Sequence, residues 1–91
     1  MDTNDLPGHD LVDKGLADLA RGERSRESLL VSIGASRLRW LGLAVEAPFP
    51  DAERALYDLL AAEDPDAAHS RYNALVRRLV SFERAAECVA R

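Results

Sequence analysis

The residues of this sequence that could perform acid, base or nucleophilic chemistry are few and scattered. His69 lies close to Arg71 and Tyr72, a spacing that would suit a general base beside a cation. A half-exposed histidine beside Asp66, in the first turns of a helix, explains the same residues more simply. The single cysteine, Cys88, excludes an internal disulfide and a cysteine-based zinc site, and we expect it to fill space on a helix.

Carboxylates are the second possible source of chemistry. Glu63, Asp64 and Asp66 together could bind a divalent cation. The same three residues stand where a helix begins, and negative charge is favourable there, so helix capping is the simpler interpretation. The sequence contains no phosphate-binding glycine loop, zinc-protease motif, nucleophile elbow or calcium loop. We therefore expect no catalytic, cofactor-binding or metal-binding residues, and a protein that is not an enzyme.

A group of residues suited to binding is more prominent. Trp40 follows Arg37 and Arg39 closely in the chain. Tryptophan and arginine are the residues most enriched in the hot spots of protein interfaces. We interpret the three as an interface anchor. The alternative is that Trp40 closes the end of a small core that contains few other aromatic residues.

The same segment, residues 28–42, partly resembles the turn of a helix-turn-helix DNA-binding motif. Arg37 and Arg39 would then lie on the recognition helix and reach phosphates or guanine edges. Leu30 stands where such motifs have a small alanine, and the bulky Trp40 occupies a position where a smaller apolar residue is typical. The acidic first 20 residues would also repel DNA. A DNA-binding regulator is therefore the alternative function, and we do not expect nucleic acid as the main partner.

Charge is distributed unevenly along the chain, whose net charge is -4. Residues 1–23 carry six acids and two bases, whereas residues 67–91 carry five arginines and two glutamates. The acidic head could lie on the basic tail, or each could face a partner of opposite sign. We expect the surplus arginines to dock on an acidic partner surface or on another copy of the chain. The tail residues assigned to partner binding are Arg71, Tyr72, Arg77, Arg78 and Arg84.

Length and composition limit the scaffold that positions these residues. The 91 residues suffice for one domain, which buries roughly two-thirds of the surface of its unfolded chain. Apolar residues make up 47% and charged residues 31%, which excludes a disordered tail. The most apolar run, residues 29–33, is far too short to span a membrane. Because the N-terminus is acidic where a signal peptide is basic, we expect a cytoplasmic protein.

Helical spacing and capping residues divide the chain into elements. We expect a flexible acidic segment over residues 1–9 and a single helical domain over residues 10–91. The first helix should cover residues 10–21, and Ser25 should cap a second one that breaks or kinks at Gly34. Residues 42–50 contain two prolines and predict a connection. Asp51 should cap a third helix that ends near Glu63, and the last helix should begin at Pro65 and run to the end.

The last helix has the clearest pattern in the sequence, because apolar residues alternate there in steps of four and three over three heptads. These residues are Ala68, Tyr72, Leu75, Leu79, Phe82, Ala86 and Val89. We predict an all-α fold, a small bundle of about four helices in which the last helix forms the backbone of the core. The same heptad pattern makes a homodimer plausible.

Two segments also resemble a known class of protein. Residues 28–43 (SLLVSIGASRLRWLGL) and 68–87 (AHSRYNALVRRLVSFERAAE) look like small bacterial helical proteins encoded beside nucleotidyltransferase-type toxins, over about two-fifths of the chain. The resemblance implies an antitoxin that binds a toxin enzyme and blocks it with its longer helices. It implies no catalytic residue. The predicted function is a non-enzymatic protein-binding module, antitoxin-like or adaptor-like, that uses no cofactor.

Overall fold

The computed structural model describes residues 5–90, and within them the chain is helical and contains no strand. Its elements are α1 (His9–Ala20), α2 (Arg26–Ile33), α3 (Ala35–Trp40), α4 (Ala52–Glu63) and α5 (Ala68–Ala90). The predicted all-α bundle with a long C-terminal helix is confirmed. The described residues form five helices instead of about four because the second predicted helix is divided. None of these helices is long and apolar enough to cross a membrane.

Gly34 makes this division, as the sequence predicted. Its N–H donates to the carbonyl of Leu30 at 3.3 Å, and its own carbonyl accepts from the N–H of Leu38 at 2.9 Å. The hydrogen bonds continue through the glycine, so the chain bends between α2 and α3 without a separate loop. A Cβ at this position would lie 3.1 Å from both a carboxylate oxygen of Glu83 and a methyl carbon of Leu79. Glycine therefore lets the bend pack closely against α5.

The central element of the core is α2. Its residues Leu29, Leu30 and Val31 are fully buried, and the helix packs against α1, α4 and α5. The prediction that the last helix forms the backbone of the core is therefore wrong, because α5 packs mainly on α4 and has a wide exposed side. Three consecutive apolar residues cover most of the circumference of a short helix, and such a helix must be enclosed by its neighbours.

The contact between α1 and α2 is the most extensive one between the described helices. A Cβ on Gly15 would lie 2.4 Å from the carbonyl oxygen of Glu27, so only glycine allows this approach. The predicted cap at Ser25 is confirmed, and it forms a reciprocal capping box with Ser28. The Ser28 N–H donates to Ser25 Oγ at 3.1 Å, and the Ser25 N–H donates to Ser28 Oγ at 2.7 Å.

A buried carboxylate joins the same two helices. Asp18 is only 2% exposed and accepts hydrogen bonds from Lys14 Nζ at 2.6 Å and Ser25 Oγ at 2.7 Å. The guanidinium of Arg21 donates to its other oxygen. The hydrogen bond from Lys14, with that from Ser25, lowers the pKa of Asp18 from its usual value. The end of α1 is thereby tied to the residue that caps α2.

The two last helices differ from their predictions, α4 in its capping and α5 in the residue at which it begins. Asp51 precedes α4 as expected, but it has a left-handed backbone conformation, with a φ of 56°, and its side chain makes no capping hydrogen bond. The α5 helix begins at Ala68, after a turn over residues 65–67, and not at Pro65. A carboxylate oxygen of Asp64 accepts from the N–H groups of Asp66 and Ala67 at 3.2 and 3.3 Å. The carboxylate therefore closes this turn ahead of the helix.

The predicted flexible segment, residues 1–9, lies only partly within the described residues, because residues 1–4 fall outside them. Leu6 is buried in the core. Gly8 lies so close to α5 that a Cβ there would be 2.9 Å from the carbonyl oxygen of Arg78. The described part of the segment is thus packed on α5, and the flexibility of the whole segment stays a prediction.

Candidate partner-binding surfaces

Trp40 lies on the outer side of α3 and is 69% exposed. The inner side of this helix is formed by Ala35 and Leu38, which are buried in the core. This exposure is incompatible with the alternative that Trp40 closes the end of the core, because a side chain in that position would be covered. A tryptophan so exposed is unusual, since this residue buries more apolar area than almost any other when it is covered.

Arg37 holds Trp40 beside α5. The carbon of the Arg37 guanidinium lies 5.3 Å from the centre of the Trp40 ring, a cation–π contact. The same guanidinium forms an ion pair with Glu87 of α5. An exposed cation–π contact contributes about 0.5–1 kcal/mol, enough to favour one orientation of the indole. Trp40, Arg37 and Glu87 are called the Trp40 surface below.

Arg39, the third residue of the predicted anchor, has an internal role. Its guanidinium donates two hydrogen bonds to the carbonyl of Val45, at 2.8 and 3.1 Å. The connection that contains Val45 is held at a second point, where the Phe49 N–H donates to Ser32 Oγ at 3.0 Å. Arg39 therefore fastens the connection between α3 and α4, while Arg37 and Trp40 face outward.

The helix-turn-helix alternative finds little geometric support in this region. Its two helices are normally joined by a turn of about three or four residues, whereas Gly34 alone separates α2 from α3. The two arginines expected on a recognition helix are also engaged, Arg37 with Glu87 and Arg39 with Val45. Neither guanidinium is free to reach a base edge without breaking an internal contact.

The arginines of α5 divide into two pairs with different surroundings. Arg71 lies 3.7 Å from a carboxylate oxygen of Asp64, and Arg78 contacts both carboxylate oxygens of Asp10, at 3.0 and 3.3 Å. The second contact joins the acidic head to the basic tail, one of the two arrangements that the charge distribution allowed. The other pair is exposed and has no acidic partner among residues 5–90. It consists of Arg77 and Arg84.

Tyr72 belongs largely to the edge of the core. It is half-buried, and its ring centre lies 5.8 Å from that of Tyr57, with the two planes inclined at 59°. Burial raises the pKa of Tyr72, and the charge of Glu53 adds to this effect. Its hydroxyl therefore stays neutral under ordinary conditions, and the ring mainly supports the contact between α4 and α5.

A shallow groove of about 260 Å³ lies beside the paired arginines of α5. Its floor is apolar, and three guanidinium groups stand around it. We call it the arginine groove, and its lining residues are Arg26, Leu60, Arg71, Ala74, Leu75 and Arg78. Arg71 and Arg78 were predicted from the sequence as partner-binding residues, whereas the other four were not. The α5 residues fall at the i, i+3, i+4 and i+7 positions of one helix face, which is a visible signal, whereas only folding brings Arg26 and Leu60 beside them.

The residues weighed for catalysis are not gathered into a site. His69 Nε2 lies 3.2 Å from the side-chain nitrogen of Asn73, and both residues are near the surface. Cys88 is exposed. In the part of the chain that the structure describes, no group of three or more His, Cys, Asp or Glu side chains is placed to hold a metal ion.

Comparison of the chain with models of protein families, with curated proteins and with solved structures found no match. We therefore infer the function from the chemistry of the Trp40 surface and the arginine groove.

Proposed function

We propose that this chain is a non-enzymatic protein-binding module, of the adaptor or antitoxin type, and that Trp40 is its main anchor. The observation that carries the proposal is the exposure of Trp40, 69%, on a helix whose other large apolar side chain, Leu38, is buried. A tryptophan that contributed only to folding would be covered by its own chain. An exposed one that is held in place is instead typical of an interface hot spot.

The energetics favour a protein partner with an apolar pocket. Seating the exposed part of an indole in such a pocket removes on the order of 150 Å² from water. At about 25 cal/mol per Å², this corresponds to a gross gain of about 3–4 kcal/mol, before the costs of association. Arg37 and Glu87 already form an ion pair beside the ring. The rim of the partner's pocket therefore needs no net charge of its own, only polar groups that can lie next to this pair.

The partner of an antitoxin-type module would be an enzyme that the chain inhibits by covering its active site. A second copy of the chain is another possible occupant of the Trp40 surface. These occupants are distinguished by what co-purifies with the chain and by its molar mass in isolation.

The test compares wild-type chain with Trp40→Ala, and Val89→Ala serves as the matched control because Val89 is also an exposed apolar residue, at the end of α5. Each tagged protein is captured from its native cells, and the co-purified protein is identified, purified and titrated against each variant. We expect one stoichiometric partner, and binding weakened by about 30-fold, or about 2 kcal/mol, only for Trp40→Ala. Unchanged circular dichroism shows that the fold is kept.

Several outcomes would overturn the proposal. Equal affinity of Trp40→Ala and wild type would remove Trp40 as the anchor. Co-purification of nuclease-sensitive DNA without a protein would favour the regulator instead. If the partner is an enzyme, its activity should fall as the chain is added, and full activity of the saturated complex would reject the antitoxin type while leaving an adaptor.

A further inference from the structure

The arginine groove concentrates positive charge around one small exposed residue. Ala74 of α5 is neighboured on its own helix by Arg71 at i-3, Arg77 at i+3 and Arg78 at i+4. Side chains at these spacings lie side by side, with about 5–6 Å between their Cβ atoms. The groove beside Ala74 is also lined by the guanidinium of Arg26, which comes from α2. Because alanine ends at Cβ, the space between these groups stays open.

The ion pairs that these arginines form within the chain are exposed and therefore weak. Arg26 pairs with Glu63 at 3.2 Å, and the two other pairs, to Asp64 and Asp10, are likewise formed between exposed side chains. Exposed ion pairs contribute only about 0–1 kcal/mol each, so an incoming carboxylate can replace an internal one at little cost. Arg77 does not line the groove, but it is adjacent to Ala74 on α5 and has no acidic partner in the described part of the chain, which leaves a surplus positive charge there.

The floor of the groove is apolar and is suited to bind an apolar side chain. Leu60 of α4 is fully buried beneath it, and Leu75 of α5 is half-buried. Ala74 and Leu75 supply the accessible apolar surface between the charged groups, and Leu60 supports it from below. A volume of about 260 Å³ accommodates one leucine-sized side chain.

We propose that the arginine groove is a second docking surface, which binds an acidic peptide segment of a partner protein. One aliphatic side chain of the segment enters the groove and contacts Ala74 and Leu75 above the buried Leu60. The flanking carboxylates of the segment face Arg71, Arg77 and Arg78. Arginine is suited to this task because its planar guanidinium binds a carboxylate through two parallel hydrogen bonds. The surface uses none of the residues of the Trp40 surface, and it does not depend on Trp40 being an anchor.

Nucleic acid would supply negative charge as well, but an acidic peptide fits this surface better. The net charge of -4 opposes both kinds of polyanion at long range and therefore does not distinguish them. A phosphate backbone, however, has no aliphatic group that could contact the apolar floor of the groove. An acidic peptide with an aliphatic side chain can contact both the guanidinium groups at the rim and the apolar floor.

The experiment measures binding of three fluorescein-labelled probes by anisotropy: an amphipathic peptide of glutamate and leucine, a peptide in which serine replaces each leucine, and a single-stranded oligodeoxythymidine. They are titrated with wild-type chain, with Ala74→Glu, and with Ala17→Glu as the matched control. Ala74→Glu places a carboxylate beside Arg71, Arg77 and Arg78 on α5 and fills the groove. Ala17 is an exposed helical alanine of α1, so the control makes the same change of side chain and charge elsewhere.

We expect saturable binding of the glutamate–leucine peptide, weakened by about tenfold or more, or about 1.4 kcal/mol, in Ala74→Glu and unchanged in Ala17→Glu. The serine peptide should bind more weakly to wild type than the leucine peptide. Absence of saturable peptide binding, or equal binding by Ala74→Glu and wild type, would overturn the proposal. Preferential binding of the oligonucleotide would also overturn it, and equal affinity for the two peptides would remove the role of the apolar floor.

Discussion

Charged side chains have opposite roles in two regions of the molecule, the polar contact between α1 and α2 and the outer side of α5. Asp18 is buried and receives hydrogen bonds from three side chains, so its charge is part of the fold. Arg77 and Arg84 lie in solvent with no acidic partner among residues 5–90. A buried charge is tolerated only with its full set of partners, whereas an exposed one contributes little to stability. The unpaired arginines are therefore available for binding, and Asp18 is not.

The largest effect expected from this comparison is that of Asp18→Ala. The change removes a buried carboxylate that joins α1 to the cap of α2, and it leaves the hydroxyl of Ser25 without that acceptor. Hydrogen bonds to charged groups contribute about 1.5–3 kcal/mol, and Lys14 and Arg21 can be solvated once released, so we expect a loss of about 2–3 kcal/mol in the free energy of unfolding. Urea denaturation followed by circular dichroism measures it.

Asp13→Ala is the control for this prediction, because Asp13 lies on the same helix and is exposed. It should change the free energy of unfolding by less than about 0.5 kcal/mol. Since the pKa of Asp18 is lowered from 3.8 in the folded state, its stabilisation is present above that value and is lost as the pH falls through the folded pKa. A difference between wild type and Asp18→Ala that vanished already near neutral pH would contradict this account.

A smaller effect of opposite sign is expected for Glu83→Gln. Glu83 of α5 is half-buried beside Gly34, and among the described residues no hydrogen bond reaches its carboxylate. Burial raises the pKa of Glu83, and the charge of Arg37 offsets this only in part. The ionised form is therefore unfavourable in the folded state. We expect Glu83→Gln to stabilise the protein at pH 7 by less than about 1 kcal/mol, after allowance for solvent screening.

The pH dependence distinguishes this explanation from a general effect of charge removal. A group whose folded pKa is raised contributes its full stability below the unfolded pKa, here 4.5, and loses it as the pH rises through the folded pKa. The gain from Glu83→Gln should therefore disappear below about pH 4. Glu87→Gln, which removes the acid paired with Arg37, should give no gain. A gain from both substitutions would reject burial as the cause.

The smallest effect on stability is expected for the double variant Arg77→Ala with Arg84→Ala. Neither side chain has an acidic partner within the described part of the chain, so the free energy of unfolding should change by less than about 0.5 kcal/mol. The comparison variant is Arg71→Ala with Arg78→Ala, which loses the contacts to Asp64 and Asp10 and should cost somewhat more, up to about 1 kcal/mol. A larger loss from the first variant than from the second would show that the unpaired arginines serve the fold.

Much of the helical framework is predictable from the sequence, because its signals are local. Ser25 caps α2, as predicted from its residue type, although the reciprocal hydrogen bond with Ser28 was not predicted. Gly34 divides two helices where a glycine interrupts a helical pattern. The predicted start at Pro65 is wrong by three residues because the carboxylate of Asp64 first closes a turn. Helix ends depend on such hydrogen bonds, which spacing alone does not reveal.

The candidate surfaces are less predictable, because they join residues that are distant in the chain. The sequence identified Arg37 and Trp40 by residue type, but only the structure shows that Trp40 is uncovered while Arg39 turns back to Val45. Arg71 and Arg78 were predicted from the sequence as partner-binding residues, but the groove beside them was not, because Arg26 and Leu60 come from other helices. Helical periodicity places residues on a face and does not say what packs against that face.

By itself, then, the sequence determined that the chain is helical, where most helices begin and end, and that its C-terminal part carries more arginines than acids to pair with them. These properties follow from capping residues, apolar spacing and charge, which act over a few neighbouring positions. Only the tertiary structure decided that α2 lies at the centre, that Asp18 is buried, and that Trp40 and Arg77 face solvent. The physical reason is that burial depends on which helices approach each other, and that approach depends on close contacts such as that of Gly15 with Glu27.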